Sequence, residues 1–579
     1  MGNEKKRIAL IGGGPSSLFA YKRLLEWGYA DLVIDLFEAT THLGNGMPYS
    51  TDGANDEHVT NVSGNEIPDM VTPIREWIRT VPAETLERFA IDPDHFNDYK
   101  VLPRLLFGQY LSAQFALLKQ QADAAGIETQ IHLNSRVTDI IDRPADGEVL
   151  VEVNGEQQTA HDIAIICTGH QWPRQTEGRV HGYFDSPYPP SKLALQCNHT
   201  VALRGASLTA IDAIRTLSRH NGRFYHDENK RLRYEVNEAT PDFRIVLHSR
   251  NGLLPAIRFH LEDPHLSKDF LLSRREMNRA RAANEGFLSL DYVFEKDFKE
   301  VLAEKDPQFY AHIKDMSIED FVSSVMDMRE KIEPFQLFKA EYLEAEQSIR
   351  RHKSIYWKEL LATLSFAMNY PAKYFSAEDT LRLQKVLMPL IAIVIAFVPQ
   401  SSCAEMIAMH DAGRLDLVSV GDDSSLEPLE TGGIRYDYTD ESGTAQSFVF
   451  ETFVDCIGQK HLAYEEFPFR GLVDAGTVSP ARLRFRSAEA AHEQIERGNK
   501  NVEGNDDDYF LRVPGIRIND DFQVVDAEGR ANGRLYVMAV SFIGGFNPDY
   551  SGLDFCEEAS VSIVKRIARE LAPADRQPG

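Results

Sequence analysis

The sequence contains few cysteines, and no two of them are spaced as a disulfide or metal-binding pair. None of the five lies in a C-x-x-C arrangement with another; they are Cys167, Cys197, Cys403, Cys456 and Cys556. Such scattered positions indicate neither a disulfide framework nor a cysteine zinc site. A dithiol mechanism of disulfide reduction, which needs two neighbouring thiols, is disfavoured for the same reason.

Basic residues are also scarce relative to acidic ones. The 579 residues include 62 Lys and Arg against 88 Asp and Glu, which gives a net charge of −26. Nucleic-acid binding is therefore excluded as a main role, because phosphate contacts need clustered Lys and Arg. The hydrophobic content of 43% is ordinary for a globular protein. A chain of this length predicts two or three domains, since single cores stop growing near about 250–300 residues.

A hydrophobic run long enough to cross a membrane is missing. The most apolar stretch, Val386 to Val398, is interrupted by Pro389 and is followed by Pro399. Because a spanning helix needs about 20 apolar residues, this stretch predicts a buried helix and no membrane partner. The first residues, Met-Gly-Asn-Glu-Lys-Lys-Arg, run straight into a strand pattern without a signal-peptide pattern, which predicts a cytoplasmic protein.

The stretch Arg7 to Glu38 has the order strand, glycine turn, helix, strand and acid. Its turn fills the fingerprint G-x-G-x-x-G with Gly12, Gly14, Pro15, Ser16 and Ser17, where Ser17 takes the third glycine position. The glycines allow a tight turn and close approach to a pyrophosphate, and the helix N-terminus offers N–H groups to it. Glu38 follows the second strand, where an acid binds a ribose hydroxyl. The alternative is a purely structural glycine turn.

A glycine-dense loop, Gly44 to Asn61, follows the second strand and is too long for a tight turn. In a two-dinucleotide flavoprotein this part of the chain passes close to the flavin, so we expect Asn61 near the cofactor. His58 is the candidate catalytic side chain of the loop, because it titrates near neutral pH. The alternative is a histidine that only hydrogen-bonds the backbone.

Two later segments have the pattern of further flavin contacts. A buried strand pattern from Asp162 to Cys167 ends in Thr168-Gly169, the usual place where the backbone meets the cofactor. A glycine-rich loop then precedes the helix pattern Asp554 to Glu570, and Gly552 and Leu553 are the expected backbone contacts. A helix N-terminus at this position stabilises negative charge on a reduced flavin. A plain βα linker is the alternative for the second segment.

A second, degraded fingerprint begins after His199. Gly205 fills the first glycine position, but Ser207 replaces the second and should hold a pyrophosphate slightly further off. The matching strand ends in Ser249-Arg250 rather than an acid, and an arginine there suits the 2′-phosphate of NADPH. Arg258 follows near the expected cleft, where its guanidinium could grip a substrate carboxylate. A ligand-free Rossmann-like domain and a solvated arginine are the alternatives.

From about Lys268 to Gly413 the pattern is helical, with runs expected at Arg274–Glu285, Leu288–Glu304, Ser317–Lys331, Phe338–Phe366 and Ser376–Ala396. Strand patterns then return. We therefore predict an α/β protein with two Rossmann-like domains, the second inserted in the first, plus a large helical insertion. The expected boundaries are an FAD domain over 1–195 and 455–579, an NAD(P) domain over 196–265 and 414–454, and the insertion over 266–413. The insertion covers the cleft, contacts substrate or forms a homo-oligomer interface.

The glycine turn at 12–17, the loop at 44–61, Cys167-Thr168-Gly169, the strip from Ser249 to Pro255 and Asp549-Tyr550-Ser551-Gly552-Leu553-Asp554 together resemble the two-dinucleotide-domain flavoproteins that bind FAD and NAD(P). Within them the chain looks most like the branch of L-aspartate N-monooxygenases that form nitrosuccinate. That resemblance implies reduction of FAD by NADPH, capture of oxygen as a C4a-hydroperoxyflavin and oxygen transfer to an amine. In this reading Arg258 anchors the substrate carboxylate, and His58 assists binding or proton movement.

Two other functions fit the same residues. One is an NAD(P)H:acceptor reductase or dehydrogenase that never transfers oxygen. The other is a flavin-loaded sensor or scaffold without turnover, whose helical insertion binds a partner. The missing dithiol does not separate these two from a monooxygenase, and no sequence pattern identifies the substrate.

Overall fold

The computed structural model describes residues 5–29, 31–169, 172, 174–262, 271–459, 461–505, 508–548 and 552–571. Asp549, Tyr550 and Ser551 of the predicted flavin loop lie outside these residues, as does the beginning of the predicted helical insertion at 266–270.

The first part of the chain forms an open α/β unit with a small three-stranded sheet beside it. Its elements are β1 Lys6–Ile11, α1 Pro15–Trp27, β2 Leu32–Phe37, β3 Val59–Ser63, α2 Ile74–Trp77, α3 Ala83–Arg88, β4 Val101–Pro103, α4 Arg104–Ala125, β5 Glu128–His132, β6 Val137–Arg143, β7 Glu148–Val153, β8 Gln157–His161 and β9 Ile163–Ile166. The next strand, β10 Tyr183–Phe184, belongs to the sheet of the second unit. The apolar strands β1, β2 and β9 are buried, as expected for a parallel sheet that is covered on both faces.

A second α/β unit repeats the order strand, turn, helix. It contains β11 Thr200–Arg204, α5 Leu208–Asn221, β12 Gly222–His226, β13 Leu232–Val236 and β14 Arg244–Ser249.

Helices dominate the next 140 residues. They are α6 Arg274–Ala282, α7 Leu290–Phe294, α8 Glu300–Lys305, α9 Pro307–Ile313, α10 Ile318–Glu330, α11 Pro334–Arg351, α12 Tyr356–Ala367, α13 Ala377–Arg382, α14 Met388–Ile395 and α15 Gln400–Asp411, with π-helical turns at Glu295–Lys299 and Leu383–Leu387. Most of them share a core of their own, built around side chains such as Phe298, Phe321 and Leu361.

Strands return after α15 and complete both α/β units. The second unit gains β15 Leu415–Ser419, β16 Ser425–Pro428, β17 Ile434–Thr439, β18 Ala445–Phe450 and β19 Thr452–Asp455. The final part contains α16 Arg470–Asp474, β20 Pro480–Arg484, α17 Ala488–Glu496, β21 Val502–Asn505, β22 Asp508–Ile516, β23 Gln523–Val525, β24 Ala531–Val537 and α18 Gly552–Leu571.

Strand order confirms the predicted fold class. The first sheet has the order β23-β24-β9-β1-β2-β5, and its strands come from both ends of the chain. All of its pairs are parallel except β23 with β24. The second sheet, β10-β19-β11-β14-β15, is parallel throughout. Because the second sheet is built between β9 and β24, the second unit is inserted in the first.

One predicted helix is wrong. The run expected over Phe338–Phe366 is two helices, α11 and α12, which are separated at 352–355. His352 adopts a left-handed conformation with φ of +48° and ends α11. The Ser354 N–H then donates to the Glu262 carboxylate at 2.9 Å, a tertiary contact that helical periodicity does not reveal. Within the described part of the chain, no helix is long and apolar enough to cross a membrane.

Candidate functional site

The first glycine turn lies where three strands of the first sheet end. Gly12 has a φ of +104°, and a Cβ there would lie 2.9 Å from the carbonyl oxygen of Cys167. A side chain at Gly14, the N-cap of α1, would meet the Cα of Gly46 at 3.4 Å. Gly12 therefore favours glycine through its backbone conformation, whereas a Cβ at Gly14 would make only an ordinary contact with the loop at 44–46. The turn leaves the first N–H groups of α1 available to a ligand.

Glu38 is held against this turn. One carboxylate oxygen accepts the Gly13 N–H at 2.7 Å, and the other accepts the Thr40 N–H at 2.7 Å. The Glu38 N–H in turn donates to the carbonyl of His132 at the end of β5. The acid is thus fixed at the edge of the turn, where the nucleotide fold places a ribose.

A cavity of about 1320 Å³ opens from the turn. Its lining includes nearly all the side chains and backbone that the sequence assigned to FAD: Gly12, Gly14, Pro15, Ser16, Glu38, Asn61, Thr168, Gly169, Gly552 and Leu553. Ser17 does not line it. That serine is fully buried, in keeping with its predicted role as a small residue where the helix packs on the sheet.

The cavity fits a dinucleotide. Its glycine cradle at Gly12 and Gly14 has no side chain in the way, and α18 begins at Gly552 on the same cavity. The Thr168 hydroxyl is buried and has no hydrogen-bond partner among the described residues. Buried polar groups without partners are rare in folded proteins, so this hydroxyl is suited to a ligand atom.

The helical insertion forms part of the cavity wall, in keeping with one of the three roles that the sequence left open, coverage of the cleft. Ala362 and Phe366 of α12, Ala392 and Ile395 of α14, and Ala396 all line it. The apolar run at 386–398 was correctly expected to be helical, but its small residues gave no indication that one face borders a ligand cavity.

Arg258 also lines the cavity, but its guanidinium already has protein partners. It donates to the carbonyl of Asn61, to the Ser63 hydroxyl at 2.7 Å and to the Glu66 carboxylate. The residue is only 4% exposed. Its predicted role in gripping a substrate carboxylate stays a prediction, and the structure adds Glu66, a partner that sequence spacing could not identify because it lies 192 positions away.

His58 does not line the cavity. It is fully buried, its Nδ1 accepts the Asn55 N–H at 2.8 Å, and its Nε2 lies 3.1 Å from the carbonyl oxygen of Asp212. Burial lowers the pKa of His58 below its ordinary value. This geometry matches the alternative prediction, that the histidine only hydrogen-bonds the backbone. The His58 ring also connects the first unit to α5 of the second.

An ion pair beside His58 links the two α/β units. Arg104 at the start of α4 forms a two-point contact with Asp212 of α5, at 2.5 and 3.2 Å. The Tyr188 hydroxyl donates to the same carboxylate at 2.6 Å. Burial alone raises the pKa of Asp212, but the charge of Arg104, together with His58 and Tyr188, outweighs burial and holds that pKa below its usual value. These partners come from three separate segments, so the sequence gave no signal for them.

The second glycine turn has the geometry of the first. Gly205 has a φ of +103°, and a Cβ there would lie 2.8 Å from the carbonyl oxygen of Cys456. Ser207 is the N-cap of α5. Ser249 stands where Glu38 stands in the first unit, and its buried hydroxyl has no partner among the described residues. The Arg250 side chain is 76% exposed and lies 3.7 Å from Asp422.

Comparison with known proteins agrees with the fold class and with FAD and NAD(P) as cofactors. Residues 9–171 match a family model described as FAD-NAD(P)-binding, and residues 273–395 match one described as the YdhS-like middle domain. The first match makes residues 9–171 similar to FAD-NAD(P)-binding domains, and together with the two nucleotide turns it supports an FAD-dependent oxidoreductase.

Individual proteins are similar over the full length. The "Uncharacterized protein YdhS" of Escherichia coli (strain K12) is 24% identical over 574 residues, which cover 99% of each chain. Among solved structures, the ornithine N-hydroxylase of Kutzneria sp. 744 has a TM-score of 0.47 at 14% identity, covering 98% of this chain and 100% of the other. The L-lysine 6-monooxygenase of Pseudomonas syringae has a TM-score of 0.44 at 12% identity, with 98% and 100% covered.

Proposed function

We propose that the protein is an NADPH-dependent flavin monooxygenase that hydroxylates the amine of a small amino-acid-like substrate. The observation that carries this proposal is the single cavity that joins the first glycine turn to an apolar wall from the helical insertion. The choice of an amine as the group that accepts oxygen comes from the resemblance of the motifs. The apolar wall supplies a surface that such chemistry needs, because it keeps water from one side of the reacting atoms.

The residues of the turn would hold FAD. The N–H groups at the start of α1 face its phosphates, Glu38 meets a ribose, and the Thr168 hydroxyl gives a polar contact further along the cavity. FAD, when bound, supplies hydride acceptance from the nicotinamide and the activation of oxygen. The start of α5 reaches the same cavity through Leu208, so the second unit is placed to present a nicotinamide there.

The choice of NADPH rests on Arg250. This arginine follows the position that Glu38 occupies in the first unit, and its exposed guanidinium can meet a 2′-phosphate. Ser249 offers a hydroxyl where an NADH-binding fold usually has an acid, and a hydroxyl does not repel a phosphate.

The proposal is tested by measuring whether the consumed oxygen appears as peroxide or in a hydroxylated product. Purified holoprotein is mixed with NADPH and a panel of amino acids and primary amines, and oxygen uptake, peroxide release and product mass are measured together. We expect at least one amine to raise NADPH oxidation, lower the peroxide fraction and appear as a product heavier by one oxygen atom. Complete recovery of the consumed oxygen as peroxide with every amine would contradict the proposal.

An NAD(P)H:acceptor reductase is the second candidate. One observation favours it: the Arg258 guanidinium already donates to Ser63 and Glu66. It is then not free to bind a substrate carboxylate, which is the role assigned to it in the monooxygenase. Anaerobic turnover with an artificial electron acceptor, unchanged by any amine, is the result that this function predicts.

A further inference from the structure

The wall that the insertion contributes to the cavity is apolar throughout the described residues. It consists of Ala362, Phe366, Ala392, Ile395, Ala396 and Phe397, and we call these six residues the helical wall. The wall is fixed beside Arg258 by backbone hydrogen bonds, because the Ala256 N–H donates to Ile393 and the Arg258 N–H donates to Val398, at 2.8 and 2.9 Å. The position of this apolar surface is therefore set by the second unit as well as by the insertion core.

The charged groups at the edge of the helical wall neutralise each other. Arg258 and Glu66 both line the cavity, and both are at least 94% buried. Their ion pair is reinforced by Ser63, whose hydroxyl and N–H donate to the Glu66 carboxylate at 2.8 and 2.7 Å. A ligand charge that separated this pair would leave a buried charge without a partner, which is strongly unfavourable. The Glu66–Arg258 pair thus offers no net counter-charge to a charged group at the far end of a ligand.

We propose that the space between the helical wall and the Glu66–Arg258 pair is a substrate compartment for amines that carry one uncharged hydrocarbon chain. The chain lies on the helical wall, and a second charge at its far end is rejected because it would be buried without a partner. This inference rests on the proposed function for the identity of the reacting amine. It goes further by assigning the insertion to substrate selection and by excluding diamines and dicarboxylic amino acids.

A chain-length series in a binding experiment tests the compartment without turnover. Norvaline, norleucine and 2-aminoheptanoate are titrated by calorimetry into the FAD-loaded protein without NADPH. Because burial of each methylene is favourable by a nearly constant amount, affinity should rise about fourfold per added carbon. Lysine, which adds an ammonium to the norleucine chain, should bind at least about tenfold more weakly than norleucine. A flat series, lysine as tight as norleucine, or no binding by any member would overturn the proposal.

A substitution in the helical wall gives a second test. The Ala392 side chain is exposed and lines the cavity, so Ala392→Phe adds volume to the compartment rather than to the packed core. We expect norleucine to bind at least about tenfold more weakly to this variant, and the shorter norvaline to be affected less. Ala311→Phe is the matched control, because Ala311 is an exposed alanine of α9 in the same insertion and does not line the cavity. Equal norleucine binding by both variants would contradict the compartment.

The two proposals fail in different ways. Chain-length-dependent binding together with complete peroxide release would support the compartment and reject the monooxygenase. Amine hydroxylation without dependence on chain length or on Ala392 would support the monooxygenase and overturn the compartment.

Discussion

The two glycine turns have nearly the same backbone and very different surroundings. Gly12 and Gly205 have φ angles within one degree of each other, and each is packed against the carbonyl of a cysteine that ends a neighbouring strand. The N–H of each glycine also donates to the neighbouring parallel strand, from Gly12 to the Phe37 carbonyl of β2 and from Gly205 to the His248 carbonyl of β14, at 2.8 Å in both cases. The repeated geometry shows that the strand–turn–helix unit is set by strand pairing and by one glycine, whatever side chains surround it.

What differs is the chemistry around each turn. In the first unit Glu38 binds back onto the turn at Gly13, whereas in the second unit Ser249 and the exposed Arg250 occupy that end of the strand. The first turn opens on the large cavity, and the second reaches that cavity through Leu208 alone among the described residues of its turn. On the proposed assignment of FAD to the first turn and NADPH to the second, one backbone design would serve two ligands of different charge requirements.

The largest effect is expected where the two units meet. Asp212→Asn removes the buried partner of Arg104, and the loss of one member of a buried ion pair destabilises a protein by about 3–5 kcal/mol. Urea titration of the FAD-loaded protein measures the free energy of unfolding. Asp56→Asn is the control, because Asp56 pairs with Arg88 on the surface, where such pairs contribute about 0–1 kcal/mol. If both variants lost the same amount of unfolding free energy, the contact between the two α/β units would not depend on the charge of Asp212.

Alanine substitutions separate the ligands of the two turns. Gly12→Ala and Gly205→Ala each force a left-handed alanine against a backbone carbonyl, which costs of the order of 1–3 kcal/mol. We expect only Gly12→Ala to lose FAD, measured as flavin absorbance per protein. Gly205→Ala should keep FAD and lose its reduction by NADPH.

Gly126→Ala is the control for strain alone. Gly126 caps α4 with a φ of +73°, and a Cβ there would have no atom within 4 Å. It should leave both flavin content and reduction by NADPH unchanged. Loss of FAD from Gly205→Ala would contradict the assignment of one ligand to each turn.

A smaller change is expected from Arg250→Ser, which removes the cation assigned to the 2′-phosphate. The preference for NADPH over NADH should fall about tenfold, mainly through the KM for NADPH, because one charge-assisted contact is lost. Arg244→Ser is the control, since Arg244 stands at the other end of β14 and is also partly exposed. An unchanged preference would remove Arg250 from the nicotinamide site.

Sequence patterns predicted the features that depend on local order. Gly12 with Glu38 and the repeated strand–turn–helix pattern at Gly205 were recognisable because each needs only some thirty neighbouring residues. The return of strands near Val454 also indicated the inserted domain. The sequence could not predict contacts between distant segments, because these depend on how the units pack. Examples are the pairs Arg258 with Glu66 and Arg104 with Asp212, and the exposure of Ala392 to the cavity. His58 illustrates the limit, because Asn61 of the same loop lines the cavity while the His58 ring contacts α5 instead.

The smallest effect concerns how the stability of the contact between the two α/β units, where His58 and the Arg104–Asp212 pair lie, depends on pH. Burial lowers the pKa of His58 from its usual 6.5, so the folded protein keeps this ring neutral where the unfolded chain takes up a proton. Proton binding by the unfolded state then lowers stability as the pH falls below about 6.5. His58→Gln, which cannot titrate, should show a smaller fall in Tm between about pH 7.5 and about pH 5.5. The exposed His95 has its pKa raised by Asp92, a shift of the opposite sign, so His95→Gln should not reduce the fall. Identical pH profiles for wild type and His58→Gln would show that the buried histidine does not account for the fall in stability between these two pH values.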